Sequence, residues 1–131
     1  MDFQAAGQAA GKVKQVLLGI GYDPQVARRA AIITYELEMN LVIHGGGGTL
    51  TVELSPDLIE ISAEDHGPGI PDVNLAMQEG YSTAPAHVRE MGFGAGMGLP
   101  NIRRWSDKLT IATEINKGTK LLAAIYCKKQ E

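Results

Sequence analysis

The stretch that decides the fold is Thr49–Asp65, TLTVELSPDLIEISAED. Apolar and polar residues alternate on both sides of a central Ser-Pro-Asp turn (residues 55–57). Strict alternation is typical of strands that bury one face, and the turn between the two runs predicts an antiparallel hairpin. A similar pattern over residues 108–114 and 119–127, joined at Asn116-Lys117-Gly118, predicts a second hairpin.

Helical periodicity lies outside the two hairpins. Apolar residues three or four apart predict a first helix over about residues 4–18, ended by Gly19 and Gly21. A second helix opens at Asp23-Pro24 and stops at His44, a short helical piece covers 73–77, and another helix covers 99–106. Helices segregated from antiparallel hairpins indicate an α/β protein with a two-layer α/β sandwich.

Composition places the chain among soluble globular proteins of one domain. It has 131 residues, of which 44% are hydrophobic and 21% charged, with a net charge of −3. We find no basic patch, no apolar run long enough for a bilayer and no secretory signal, so the sequence predicts a cytoplasmic protein that binds neither nucleic acid nor membrane. The single cysteine and three histidines predict neither a disulfide nor a zinc site.

Asp65 ends the first hairpin and continues the apolar row of its second strand, so its carboxylate is expected to face the core. A buried carboxylate needs hydrogen-bond donors. Two interpretations are open: Asp65 caps its own turn, or it accepts a hydrogen bond from the exocyclic amine of adenine while Gly67 and Gly69 let the base approach the backbone. Guanine carries an acceptor at that position and would be rejected.

Glu36 and Asn40 lie four residues apart on the second predicted helix and therefore stack on the flank of its apolar stripe. A carboxylate and an amide oxygen in this arrangement can serve a hard cation and a nearby proton transfer. The alternative is an ordinary solvated helix face. Glu38 is expected on another face, which leaves Glu36 as the acid placed to share a site with Asp65.

A glycine tract, GFGAGMG (residues 92–98), runs into the helix that begins near Leu99 and Pro100. Free N–H groups at such a junction suit phosphate oxygens. The tract matches neither the P-loop pattern nor a dinucleotide fingerprint. Thr119 lies on the inward row of the last strand, where its hydroxyl can reach a bound base or be satisfied locally.

These blocks, in the order Glu36-x-x-x-Asn40, Asp65-x-Gly67-x-Gly69, Gly94-x-Gly96-x-Gly98 and Gly118-Thr119, resemble the GHKL ATP-binding superfamily of gyrase, Hsp90, histidine kinases and MutL. The stretches YELEMN (35–40), DHGPGIPD (65–72) and GYST (80–83) are similar to the free-standing serine-protein kinases of bacterial anti-sigma factors and stressosome switches. The resemblance implies one Bergerat α/β sandwich over residues 1–131. It also implies a mixed, largely antiparallel sheet covered by helices on one face, and an ATP lid at about 80–98 that orders around ATP.

The resemblance also implies ligands and roles. ATP and Mg²⁺ would bind, with Glu36 as general base, Asn40 as the magnesium ligand and Asp65 as the adenine-binding acid. The other nucleotide contacts would be Gly67, Gly69, Ile70, Ser82, Thr83, Gly94, Gly96, Met97, Gly98, Leu99 and Thr119. Such proteins phosphorylate a serine on a STAS-domain antagonist or bind a sigma factor. We therefore expect a kinase, with a nucleotide-gated binding module of little kinase activity as the alternative and a homodimer as a possible assembly.

Overall fold

The computed structural model describes residues 8–43, 48–67, 69, 77 and 98–127. Within these residues, three helices and four strands follow in the order α1 (Gln8–Ile20), α2 (Pro24–Ile43), β1 (Thr49–Ser55), β2 (Leu58–Asp65), α3 (Gly98–Trp105), β3 (Lys108–Glu114) and β4 (Gly118–Tyr126). Both predicted hairpins are present, and α2 opens as predicted, because Asp23 Oδ1 accepts a hydrogen bond of 2.7 Å from the Gln25 N–H.

The four described strands form one sheet in the order β1-β2-β4-β3, and each described pair is antiparallel. The register places Ile61 opposite both Val52 on β1 and Ala123 on β4. Because side chains alternate across a strand, this register collects the apolar residues on one face of the sheet. The helices pack on that face, which confirms the predicted two-layer α/β sandwich.

The core lies between the helices and this face of the sheet. Its fully buried large aliphatic side chains come from all three helices and from the two central strands: Leu17, Ile33, Leu37, Ile59, Ile61, Ile102 and Ile125. Burial of one such side chain stabilises the folded state by about 1.5–3 kcal/mol. The helices are therefore held on the sheet by the same apolar stripes that predict them.

In the part of the chain that the structure describes, no helix is long and apolar enough to span a bilayer.

Helix α1 ends two residues later than predicted. Gly19 remains helical, and the chain leaves the helix at Gly21, whose φ is 110°. The N–H groups of Gly21 and Tyr22 both donate to the Leu17 carbonyl, at 3.1 and 3.0 Å. The bond from Tyr22 is the one found in a Schellman motif, and the bond from Gly21 is the one found in an αL cap. Both endings require positive φ at Gly21 but not at Gly19. The prediction that Gly19 ends the helix was therefore wrong.

Candidate functional site

Glu36 is half-buried on α2, on the side that faces α3. The side-chain amide of Asn101 on α3 donates to Glu36 Oε1 at 3.3 Å. Burial raises the pKa of Glu36 above its ordinary value, while the hydrogen bond from Asn101 acts in the opposite direction and is the smaller effect. A carboxylate with a raised pKa is a stronger proton acceptor once it is ionised, which suits a general base.

Asn40, one helical turn further along α2, has a side-chain atom without a partner. Its Nδ2 is buried and makes no hydrogen bond with the described residues. An unpaired buried amide group costs about 1–3 kcal/mol, so a ligand that pairs with this side chain is favoured. Rotation of the amide by half a turn exchanges its oxygen and nitrogen, so the group can present either one to a ligand.

The described residues contain no cluster of three or more histidine, cysteine or acidic side chains that could hold a metal ion. Such a cluster is not needed for Mg²⁺ at a nucleotide, because this ion is usually held by one or two side chains, phosphate oxygens and water. The oxygen of the Asn40 amide is a hard donor of the kind that Mg²⁺ prefers. The Asn40 oxygen is therefore compatible with a magnesium ion whose other ligands are phosphate oxygens and water.

Glu38 is directed away from this site, as predicted. Its Oε1 accepts a hydrogen bond of 2.9 Å from the Ala9 N–H in the first turn of α1. Because the first N–H groups of a helix have no partner within the helix, Glu38 acts as a cap supplied by a neighbouring helix. Of the two acids on this part of α2, Glu36 is the one that faces α3.

Asp65 is half-buried at the end of β2. Its Oδ1 accepts a hydrogen bond of 2.8 Å from the Gly67 N–H, so Asp65 does cap its own turn. This bond uses one carboxylate oxygen and fixes the orientation of the group. Among the described residues no donor reaches Oδ2. The turn-capping and ligand-binding interpretations are therefore compatible, with one oxygen for each.

Two threonines extend this polar end of the sheet. Thr119 on β4 lies opposite Asp65 on one side and opposite Thr113 on the other. Thr119 is buried, and its hydroxyl lies 2.9 Å from that of Thr113. Sequence reasoning missed Thr113, although it follows Leu109 and Ile111 on the inward row of β3. Asp65, Thr119 and Thr113 form a row across three strands, which we call the polar row.

Helix α2 reaches the end of the sheet that carries the polar row. A side chain at Gly48 would collide with the Glu64 carbonyl and with Leu41 Cδ2. Leu41 therefore lies close to the last residues of β2. Since Asn40 is its neighbour in sequence, the end of α2 that carries Asn40 lies at the strand end of Asp65, and Glu36 lies one turn further back along the helix.

Gly69 and Gly118 allow close backbone contact beside Asp65. Both have positive φ, 82° and 125°. An added Cβ at Gly69 would collide with the Glu114 carbonyl, and one at Gly118 with the Asp65 carbonyl. Glycine is needed at both positions because any side chain would be excluded by contact and by conformation.

We therefore predict opposite effects for two glycine-to-alanine substitutions. Gly118→Ala should lower the free energy of unfolding by more than about 1 kcal/mol, because alanine is strained at this φ and collides with Asp65. The matched control, Gly19→Ala, should raise it by about 0.5–1 kcal/mol, because Gly19 is helical and has open space for a Cβ. Urea unfolding measures both, and equal effects in the two variants would contradict the assigned backbone roles.

Several predicted nucleotide contacts lie outside the described residues: Ile70, Ser82, Thr83, Gly94, Gly96 and Met97. The same holds for the predicted lid up to residue 97 and for the helical piece over 73–77, apart from Met77. Gly98 is the first residue of α3, and the Leu99 side chain is buried in the core. Leu99 can therefore contribute to a nucleotide site through its backbone N–H, which is one of the first in the helix.

The family profile described as histidine kinase-, DNA gyrase B- and HSP90-like ATPase matches residues 25–129, from the first turn of α2 past the end of β4. The chain belongs to this ATPase family. The resemblance to the GHKL superfamily is thus confirmed, and the domain is an ATP-binding domain. Glu36, Asn40, Asp65 and Thr119 all lie within the part of the chain that matches the ATPase family.

Proteins with similar sequences include a bacterial protein kinase and a bacterial anti-sigma factor. Over 126 residues the chain is 33% identical to the serine/threonine-protein kinase RsbT of Bacillus subtilis, which covers 93% of this chain and 86% of that protein. It is 30% identical over 105 residues to the anti-sigma F factor of Geobacillus stearothermophilus, covering 75% of this chain and 68% of that protein.

Solved structures confirm the fold. One similar structure is the SiaB–SiaC complex from Pseudomonas aeruginosa, with a TM-score of 0.64, 16% identity, and coverage of 95% of this chain and 84% of that one. Another is the catalytic domain of the histidine kinase ThkA, with a TM-score of 0.58, 16% identity and 92% coverage of both chains. At these identities the likeness concerns the fold of the ATPase family.

Proposed function

We propose that the chain is a Mg-ATP-dependent serine-protein kinase that transfers the γ-phosphoryl group to a partner protein of the STAS-domain antagonist type. The observation that carries this proposal is the half-buried Glu36, which the Asn101 amide contacts from α3. Similarity to a serine/threonine-protein kinase over nearly the whole chain supports it. The cytoplasm, where ATP and Mg²⁺ are abundant, is the proposed location.

Adenine would bind at the polar row. Its exocyclic amine donates to Asp65 Oδ2, the oxygen that the turn does not use. Gly67 and Gly69 let the base approach the backbone, and the hydroxyl of Thr119 is close enough in the strand register to contact the base or an ordered water. The same arrangement rejects guanine, because its O6 would face a carboxylate oxygen with no proton between them.

The phosphate groups would extend toward α2 and the start of α3. Asn40 would hold Mg²⁺, which when bound neutralises charge on the phosphates. Glu36 Oε2 accepts the proton of the partner's serine hydroxyl as the bond from its Oγ to the γ-phosphorus forms. The bond between that phosphorus and the β,γ-bridging oxygen breaks, and ADP leaves with its electron pair. Positioning and electrostatics supply most of the acceleration.

A nucleotide-gated binding module is the second candidate, because anti-sigma F factors are among the relatives. Such a protein would bind ATP at the same polar row and use the complex to recognise a sigma factor. A homodimer is compatible with either function. The two candidates differ in the partner and in what happens to it, because only the kinase modifies its partner.

The test is phosphoryl transfer to defined acceptors. The chain is incubated with Mg-ATP and each STAS-domain protein of its source organism, and the products are analysed by intact-mass and peptide mass spectrometry. The kinase proposal predicts that one acceptor gains a single phosphoryl group on a serine. If no acceptor is modified while a sigma factor binds only in the presence of ATP, the binding module is the function.

A further inference from the structure

Among the described residues, Asn101 donates the hydrogen bond that Glu36 accepts. No sequence motif assigns Asn101 a role. It belongs to α3, while Glu36 belongs to α2, and 65 positions separate them in the chain. The contact exists because the two helices pack side by side. It therefore connects the candidate base to a different element of the fold.

Helix α3 holds Asn101 in a fixed place. The neighbouring Ile102 is fully buried in the core, and Leu99 is buried one turn earlier. At the far end of the helix, Arg29 on α2 donates from Nε to the Trp105 carbonyl at 2.9 Å and pairs with Asp107 at 3.2 Å. Because the start of α3 is buried in the core and its far end is bonded to α2, the amide of Asn101 is presented to Glu36 by a well-packed support.

The orientation of the Glu36 carboxylate depends on Asn101, because few other groups of the described residues contact it. Glu38, the other acid nearby, is engaged by the Ala9 N–H on α1. Burial and the Asn101 hydrogen bond are the two influences on the pKa of Glu36, and no charged side chain of the described residues adds to them. The Asn101 amide contacts Oε1, so Oε2 is the oxygen that remains for a proton transfer.

We propose that Asn101 is a positioning residue for Glu36: its amide holds Oε1 and thereby directs Oε2 toward the hydroxyl group that attacks ATP. This inference rests on the proposed role of Glu36 as general base. Asn101 touches neither nucleotide nor acceptor in this role. Its effect should therefore appear in the rate of the chemical step and in the titration of Glu36, not in the affinity for nucleotide.

The experiment compares Asn101→Ala and Asn101→Asp with the wild-type chain. Alanine removes the donor, while aspartate keeps the size and shape and replaces the donor with an acceptor. Arg103→Ala is the matched control, because Arg103 is an exposed residue of the same helix. Three quantities are measured: the Kd for Mg-ADP, the single-turnover rate of Mg-ATP hydrolysis with water as the attacking group, and the ¹³C titration of the Glu36 carboxyl carbon.

Both Asn101 variants should titrate Glu36 at higher pH, because the hydrogen bond that favours the ionised form is lost. Both should hydrolyse ATP at least about tenfold more slowly, with the Kd for Mg-ADP within about threefold of wild type. The acidic limb of the pH–rate profile should move to higher pH with the titration. Arg103→Ala should match the wild type in all three measurements.

Unchanged titration and unchanged hydrolysis in both Asn101 variants would overturn the inference. Hydrolysis by Glu36→Gln distinguishes failure of the positioning role of Asn101 from failure of the proposed base role of Glu36. If Glu36→Gln hydrolyses ATP at the wild-type rate, Glu36 is not the base, and Asn101 has no base to position. The carboxyl titration needs no turnover, so it reports on the contact in either case.

Discussion

Glu36→Gln is expected to reduce phosphoryl transfer by about 100-fold or more while the Kd for Mg-ADP stays within severalfold of wild type. Glutamine keeps the shape of the side chain but cannot accept a proton, and a positioned base contributes about 10²–10⁴ to a rate. The amide oxygen of the new side chain can still accept the hydrogen bond from Asn101. Single-turnover transfer from [γ-³²P]ATP and calorimetry with ADP measure the two effects.

Glu53→Gln is the matched control, because it makes the same chemical change at an exposed position on β1. It should leave both the rate and the affinity unchanged. Full transfer by Glu36→Gln would remove Glu36 from the base role. Equal losses of rate in the two variants would point to a general effect of charge.

Asp65→Asn should weaken ATP binding by about 1–3 kcal/mol, which corresponds to a loss of roughly 5- to 150-fold. The new side chain keeps its oxygen on the Gly67 N–H, so its NH₂ group takes the position of Oδ2. A donor then faces the exocyclic amine of adenine, which is also a donor. The same NH₂ group can donate to O6 of guanine, so the preference for ATP over GTP should be smaller in this variant than in the wild type.

Asp57→Asn serves as the control for this prediction, because Asp57 is an exposed acid in the β1–β2 turn. It should bind ATP with wild-type affinity. Asp65→Asn should also keep the turn and hence most of the stability, which thermal unfolding checks. An unchanged Kd for ATP in Asp65→Asn would show that Oδ2 does not contact adenine.

The fold could be predicted to the level of layers and hairpins. Alternation over Thr49–Asp65 and helical spacing over α2 are local patterns, and each element forms with the face that its pattern predicts. The order of the strands in the sheet could not be predicted from local patterns. It depends on β2 pairing with β4, and the residues that meet there, such as Asp65 and Thr119, are far apart in the chain.

Residues of the candidate site could be proposed from the sequence where a motif contains them, but not where only packing brings them together. Glu36, Asn40 and Asp65 stand out by spacing and residue type, and Thr119 by its place on an inward row. Asn101 lacked any such signal, because its contact with Glu36 exists only once α3 packs on α2. The end of α1 was misjudged for a related reason, since the cap depends on the conformation of Gly21 and not on the presence of Gly19.

The central claim is that the polar row and the C-terminal half of α2 form an adenine-specific site for Mg-ATP. Its most direct test is calorimetric titration of the wild-type chain with Mg-ATP and with Mg-GTP. The structure has a carboxylate oxygen at Asp65 that suits an amine and repels a carbonyl oxygen. We predict a Kd for Mg-ATP on the order of micromolar, and binding of Mg-GTP weaker by at least about tenfold. Equal affinities for the two nucleotides would contradict the account.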